Sequence, residues 1–248
     1  IDPSSWDAAV RAAGATLVAL EAACDERRGA FAVVRPPGHH AEPGRGMGFC
    51  LFNNAGIAAR AFVARHGGRA LVIDFDYHHG NGTAALVGDG VSYVSTHASP
   101  AYPGTGSGRE NRLDDDGALV DVPLGLSYEG EAFVALWREA LRKLGARIRP
   151  NVVIASAGYD FVAGDPVGDL GIDVGVSSAL GALVREFADE YCDGRAVFVL
   201  EGGYDLSLLA RGVEETIRGF DGGRSSIGSA DPDALRLREL ALLDAVFR

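Results

Sequence analysis

Four short apolar segments constrain this chain more than anything else in it: RALVIDF (69–75), VSYVST (91–96), NVVIAS (151–156) and RAVFVL (195–200). They are too short for typical helices and rich in β-branched residues. Their apolar runs predict strands buried on both faces in the middle of a sheet. Stretches of helical periodicity alternate with them, at 5–27, with Pro3 and Ser4 as its start, and at 53–66, 129–147, 177–191, 206–219 and 232–246. Asp231 before Pro232 is a helix-start signal. FAVV (31–34) adds a short strand, and the glycine- and aspartate-rich stretch 103–118 predicts a loop. Strands alternating with helices predict an α/β fold with a central, mostly parallel sheet and helices on both faces. No repeat, linker or composition shift divides the chain, so its 248 residues read as one domain, 1–248.

Composition narrows the function. Hydrophobic residues at 47% and charged residues at 23% exclude a disordered tail, a coiled coil and a collagen-like rod. Thirty-four acidic against 23 basic residues leave a net charge of −11, without the basic face that nucleic-acid binding needs. Lys143 is the single lysine, which reads as genome composition. The run Asp114, Asp115, Asp116 reads as a solvated loop. Cys24, Cys50 and Cys192 are odd in number and share no metal-like spacing, so free thiols in a reducing compartment are expected, the cytoplasm by default. Arg11, Glu21 and Arg60 interrupt the longest apolar stretches, and no membrane span is predicted.

The unusual residues lie just after the strands, where open α/β sheets bind ligands. Four of the six histidines fall in two adjacent pairs, His39–His40 and His78–His79. In DFDYHHGNG (74–82) the strand continues, and alternation projects Asp74, Asp76 and His78 to one side. Two carboxylates and an imidazole converging there are metal-ligand chemistry. Asp160, following the strand 151–156 between glycine-rich neighbours, supplies a third ligand to Asp76 and His78 and leaves an open position. Zinc suits this set, and so does ferrous iron. With two carboxylates the metal is a weak Lewis acid that needs a base and a proton donor nearby. His39 and His40, in the stiff turn RPPGHH (35–40), can supply the base, with Asp74 as a candidate partner that fixes a tautomer. Tyr204, after Gly202 and Gly203, either aims its hydroxyl at a developing oxyanion or is structural. Phe49 and Tyr102 sit in glycine-rich loops, where they either wall a narrow channel or simply pack.

The motifs RPPGHHA (35–41), GFCLFNN (48–54), DFDYHHGNGT (74–83), SPAYPGTG (99–106), GYDFVAGDP (158–166) and EGGYDL (201–206) resemble the zinc-dependent histone deacetylase family. That family also takes in bacterial acetylpolyamine amidohydrolases and acetoin-utilisation proteins. GHHA and HHGNGT resemble its class II and bacterial branches, since class I usually has Asp where this chain has Asn81. With the arginine bias, this points to a bacterial source. The resemblance implies the arginase/deacetylase fold, with a parallel sheet of about eight strands. It implies zinc at Asp76, His78 and Asp160, with His40 as general base and His39 acting on the leaving amine. Asp74 would orient His39, Asn81 would orient His40, and Tyr204 would polarise the amide carbonyl. Phe49 and Tyr102 would sandwich the acyl-lysine chain beside Gly48, and a structural potassium ion would sit near Asp74, Asp76, His78, Ser95 and Thr96.

The implied activity is hydrolytic removal of acetyl or other acyl groups from lysine side chains of proteins or peptides. Acetylated small amines such as acetylpolyamines are the alternative. The polyamine branch carries a long insertion after the strand that ends near His97, whereas four residues separate His97 from Tyr102 here, which favours acyl-lysine. Binuclear manganese ureohydrolases share the fold but need further carboxylates where this chain has histidines and Asn81. A non-catalytic acyl-lysine binding module would not need the full set of ligands, base and tyrosine. Family members run some tens of residues further at the N-terminus, so the first strands and a rim aspartate are expected upstream of Ile1. Reduced stability and activity are the expectation for the chain without them.

Overall fold

A computed structural model describes residues 2–222 and 237–247. Its strands are β1 (Gly29–Ala32), β2 (Ala70–Asp74), β3 (Val91–Ala98), β4 (Arg112–Leu113), β5 (Ala118–Leu124), β6 (Val152–Ala157) and β7 (Ala196–Leu200). Its helices are α1 (Ser4–Glu26), α2 (Asn54–His66), α3 (Asn81–Ala84), α4 (Gly130–Ile148), α5 (Val176–Tyr191), α6 (Leu206–Phe220) and α7 (Leu237–Val246). The strands form one seven-stranded sheet in the order β1-β7-β6-β2-β3-β5-β4. Every pairing is parallel except β4 with β5.

Alternation along the central strands builds two cores. Ala70 and Val72 of β2, Val152 and Ile154 of β6, and Val197 and Val199 of β7 pack with α1 and α2. One residue out of phase, Leu71, Ile73, Val153, Ala155, Phe198 and Leu200 pack on the other face with α4 and α5. A strand with apolar side chains on both faces is stable only between two helical layers, which is why these segments read as unbroken apolar runs. Burying each large aliphatic side chain contributes about 1.5–3 kcal/mol. Asn53 caps α2 by accepting a hydrogen bond from Gly56 N, and Asp205 caps α6 at Ser207 N and Leu208 N.

The expected strand at 31–34 is shifted. β1 ends at Ala32, and Val33, 63% exposed, already lies outside the sheet. The register with β7, Gly29 opposite Ala196, sets this. The expected loop 103–118 contains the two residues of β4, and seven-residue β5 follows it where no strand was expected. Asp121 and Pro123 disguise β5, but both have a place. Asp121 is hydrogen-bonded to buried His79, and Pro123 lies past the part of β5 that pairs with β4, so its missing N–H costs no ladder bond there. The described residues hold seven strands, against about eight implied by the resemblance. The helix-start signal at Asp231–Pro232 lies outside the described residues. The three cysteines are free, and Asp114, Asp115 and Asp116 are exposed. Among the described residues no helix is long and apolar enough to cross a membrane.

After β1 the chain crosses to the centre at β2, runs outward through β3 and β5, then returns to fill in β6 and β7. Strand order therefore reverses beside β2. The parallel strands bring the carboxyl ends of β1, β2, β6 and β7 to one edge, where open α/β sheets form a crevice.

Candidate active site

Asp76 and His78 follow β2, and Asp160 follows β6. One ligand atom from each lies within 4.8 Å of the others. His78 Nδ1 is 3.0 Å from Asp160 Oδ2 and 3.2 Å from Asp76 Oδ1. Backbone donors hold the carboxylates: His78 N and Gly202 N bond the two oxygens of Asp76, and Tyr77 N bonds Asp160 Oδ1. Asp160 Oδ2 is buried and accepts no well-aligned hydrogen bond. A Cβ on Gly158 would strike the Asp76 carboxylate, and one on Gly202 would strike both carboxylates, so the two glycines make room for the cluster.

Electrostatics show what the cluster lacks. Burial, then the neighbouring Asp76, pushes the Asp160 carboxyl up to about 6. Burial opposes charge on Asp76 too, but His39 and His78 outweigh it and hold its carboxyl below the usual range. Burial disfavours charge on His78, yet Asp160 and Asp76 lift the imidazole to about 10. Two buried carboxylates 3.0–3.2 Å from one imidazole, with Asp160 Oδ2 lacking a well-aligned hydrogen bond, thus call for a positive charge shared among all three groups. A divalent cation meets that demand, and the donor set suits zinc.

The histidine pair lies beside the cluster, the His39 and His40 rings 4.1 Å apart and those of His40 and His78 5.9 Å apart. His39 Nδ1 lies 3.0 Å from Asp74 Oδ2, which also accepts from the Tyr93 hydroxyl at 2.9 Å. Burial works against charge on His39, but Asp76 and Asp74 overcome it and hold the imidazole well above its ordinary value. His40 is the opposite case: burial, then the charge of His39, lowers it to about 3. Its tautomer follows from a chain of partners. Asn81 Nδ2 donates to the Glu42 carboxylate at 2.7 Å, so Asn81 Oδ1 faces His40 Nδ1 at 2.9 Å. An amide oxygen only accepts, so Nδ1 carries the proton and Nε2 keeps its lone pair. One turn therefore presents a charged and a neutral imidazole side by side.

Tyr204 follows β7. Its backbone N–H donates to Asp165 Oδ2 at 2.6 Å, and the Arg35 guanidinium lies 5.7 Å from the centre of its ring. Arg35 donates to Glu201 O at 2.7 Å and Gly203 O at 2.8 Å, tying the loops after β1 and β7 together. Glu201, fully buried, accepts from Gly38 N at 2.6 Å, His39 N at 3.1 Å and the Ser156 hydroxyl at 3.1 Å. Burial, then Asp76 and Asp160, raises the Tyr204 phenol, which stays a hydrogen-bond donor.

Gly48 and Phe49 both adopt left-handed backbone, φ 55° and 66°. Gly48 presses on the His40 ring where any Cβ would collide. The bulky Phe49 is a true outlier, the kind of strain found at functional sites. It projects its ring outward, 71% exposed, 6.0 Å from the Tyr204 ring. Tyr102, 47% exposed, stands edge-on to His40 with ring centres 5.0 Å apart. Every predicted site residue therefore lies in or next to this crevice, except that Ser95 and Thr96 lie in the sheet. They are buried in β3, with Ser95 opposite Asp74. Both Asp74 oxygens are already hydrogen-bonded, and nothing in the arrangement singles out a potassium ion. Sequence reasoning gave no role to Arg35, Glu42, Asp165, Glu201 or Asp121. Arg35, Asp165 and Glu201 stood inside quoted motifs, which was the available signal. Asp121 had none, because its strand went unseen.

Residues 1–220 match the family described as "Histone deacetylase domain". The chain is 40% identical over 213 residues to "Histone deacetylase 10, chloroplastic" of Oryza sativa subsp. japonica, covering 84% of this chain and 48% of that protein. It is 34% identical over 245 residues to the "Histone deacetylase-like amidohydrolase" of Pseudomonas aeruginosa, covering 96% and 64%. A crystal structure of the HDA15 HD domain superposes with a TM-score of 0.83 at 30% identity, covering 97% of this chain and 67% of that one. The chain spans between about half and two thirds of the length of these two curated relatives. With the match over most of its length and the parallel sheet, the chain belongs to the histone deacetylase family.

Proposed function

We propose that the chain carries the catalytic site of a zinc-dependent amidohydrolase that removes acetyl or other acyl groups from lysine side chains. The observation that carries this reading is the buried Asp76–His78–Asp160 cluster beside a neutral His40 and a charged His39. Asp76, His78 and Asp160 would hold zinc, which when bound supplies Lewis acidity toward the amide carbonyl and the attacking water. His40 Nε2, left free by the Nδ1–Asn81 bond, takes a proton from that water. The Tyr204 hydroxyl donates to the carbonyl oxygen as it gains charge. His39, charged and held by Asp74, gives a proton to the departing amine nitrogen as the C–N bond breaks. Acetate and the free amine are the products. Phe49 beside Tyr204 and Tyr102 beside His40 would flank an acyl-aminoalkyl chain on its way to the cluster.

Acetylated small amines present the same acyl-aminoalkyl group and are the second reading. The short connection from His97 to Tyr102 favours acyl-lysine. A structural potassium ion near Asp74, Asp76, His78, Ser95 and Thr96, and a cytoplasmic location, rest on the resemblance and on default. The test is acetate release by the zinc-reconstituted protein from acetyl-lysine peptide and acetylated polyamine side by side. Turnover of the peptide that Tyr204→Phe lowers by about 100-fold or more supports the reading. No turnover of either substrate with one zinc bound per chain would refute it.

A further inference from the structure

Tyr102 rides on a segment with little support of its own. Residues 100–110 contain no helix or strand, and among the described residues two hydrogen bonds join them to β3 and to the turn after β2. Both end on buried imidazoles. The Thr105 hydroxyl meets His79 Nδ1 at 2.7 Å, and Gly106 O accepts from His97 Nε2 at 2.8 Å. The two rings lie 4.7 Å apart, and Gly106 seats directly on them. A Cβ at Gly106 would come within 2.6 Å of His97 Nε2 and 2.7 Å of His79 Cδ2.

Asp121 secures this support from below. Its carboxylate accepts from His79 Nε2 at 3.0 Å, which fixes the ring and turns Nδ1 toward Thr105. Its backbone grips Asn111, the residue that follows the segment: Asp121 N donates to Asn111 Oδ1 at 2.7 Å, and Asn111 Nδ2 donates to Asp121 O at 3.0 Å. A carboxylate 2% exposed, between Val120 and Val122 in a strand, is costly unless something needs it there. Asp121 belongs neither to the metal-ligand cluster nor to the His39–His40 pair.

We propose that Asp121 is a positioning residue: through His79 it anchors the Thr105–Gly106 turn and so sets Tyr102 against His40, governing how tightly an acyl-lysine chain is held. This rests on the function proposed above. Chemistry at the cluster stays intact without the anchor, while the channel wall loosens.

The test compares four variants of the zinc-loaded protein with acetyl-lysine peptide. Thr105→Val keeps the shape of an exposed-loop residue and removes its hydroxyl, so it carries no risk to the fold. Asp121→Val removes the anchor from within the strand. Thr105→Ser and Asp121→Asn keep the bonding atoms and are the rescues. Both Val variants raise KM about 3- to 10-fold with kcat within about 2-fold, as expected for one lost hydrogen bond that acts on binding. Ser and Asn return KM to near the wild-type value. Amide hydrogen exchange over 101–108 quickens in the Val variants alone. Wild-type KM and wild-type exchange in Thr105→Val would overturn the proposal, as would a fall in kcat at constant KM. A wild-type chain that never turns over the peptide overturns the enzymatic reading instead. Exchange then decides the anchor: faster in Thr105→Val supports it, and unchanged refutes it.

Discussion

Replacing Glu201 separates a hydrogen-bonding role from a charge role. Glu201→Ala deletes the acceptor for Gly38 N, His39 N and the Ser156 hydroxyl, all buried. Three orphaned groups at about 1–2 kcal/mol each come to about 3–6 kcal/mol, a large share of a typical domain's stability. Glu201→Gln keeps the geometry: the amide oxygen accepts both N–H groups, and the amide nitrogen faces Ser156 Oγ, which can accept. Charge adds a pH dependence. Burial is the main cause that raises the Glu201 carboxyl from 4.5 to about 7, with Asp74 adding to it and His39 and the Gly38 N–H opposing. Between those values the folded chain holds a proton that the unfolded chain has lost. The stability this proton confers is full below pH 4.5 and is lost as pH rises through about 7, amounting to about 3 kcal/mol. Glutamine has no such proton to lose. Urea unfolding of the wild type and both variants at pH 5 and pH 8 reads the contrast. Glu201→Gln matches the wild type within about 1 kcal/mol at pH 5 and exceeds it by about 2–3 kcal/mol at pH 8. Glu201→Ala is less stable than Gln at both. Equal losses for Ala and Gln, or a Gln advantage that does not grow with pH, would refute the reasoning.

Three further outcomes are expected. Asp160→Ala removes one of the three proposed ligands, and zinc retained after gel filtration is expected to fall from one equivalent to near none; retention at one equivalent would move the metal elsewhere. At pH 8 a small alkylating reagent modifies half-buried Cys24 first, whereas Cys50 and Cys192 react only on unfolding. Burial pushes the Cys192 thiol up to about 12, leaving about one part in 10⁴ as thiolate. Trp137→Ala, at the centre of the core against Phe75 and Phe133, costs about 3–5 kcal/mol by thermal or urea unfolding. Trp137→Phe costs far less, because the indole Nε1 it removes is buried without a hydrogen-bond partner.

Much of the fold is legible locally. β2, β3, β6 and β7 stand within about two residues of their apolar runs, because a strand covered by helices on both faces is mostly apolar along its length. The helices between them show their period for the complementary reason, one face in and one face out. β5 escapes because Asp121 and Pro123 look unlike a buried strand until His79 and the sheet edge are in view. β1 slips because its register is set by β7, more than 160 residues away.

The site divides the same way. The chemistry of the residue types nominates Asp76, His78, Asp160, His39, His40 and Tyr204, but the expected strand through 74–78 stops at Asp74, and a bend at 76–78 rather than strand alternation brings Asp76 and His78 together. Periodicity reports the faces of one element and is silent on its neighbours. The state of each group depends on those neighbours. His40 is neutral because it is buried beside an imidazole, His39, that Asp76 and Asp74 hold in the charged form, and its Nε2 is free because Glu42 orients Asn81. Glu201 supports the turn that carries the histidine pair from the end of β7. Composition and pattern determined which residues could do chemistry. The crossover that places β6 and β7 beside β2 and β1 decided which of them touch, because hydrogen bonds and desolvation act over a few ångströms in space, however far apart the residues lie in the chain.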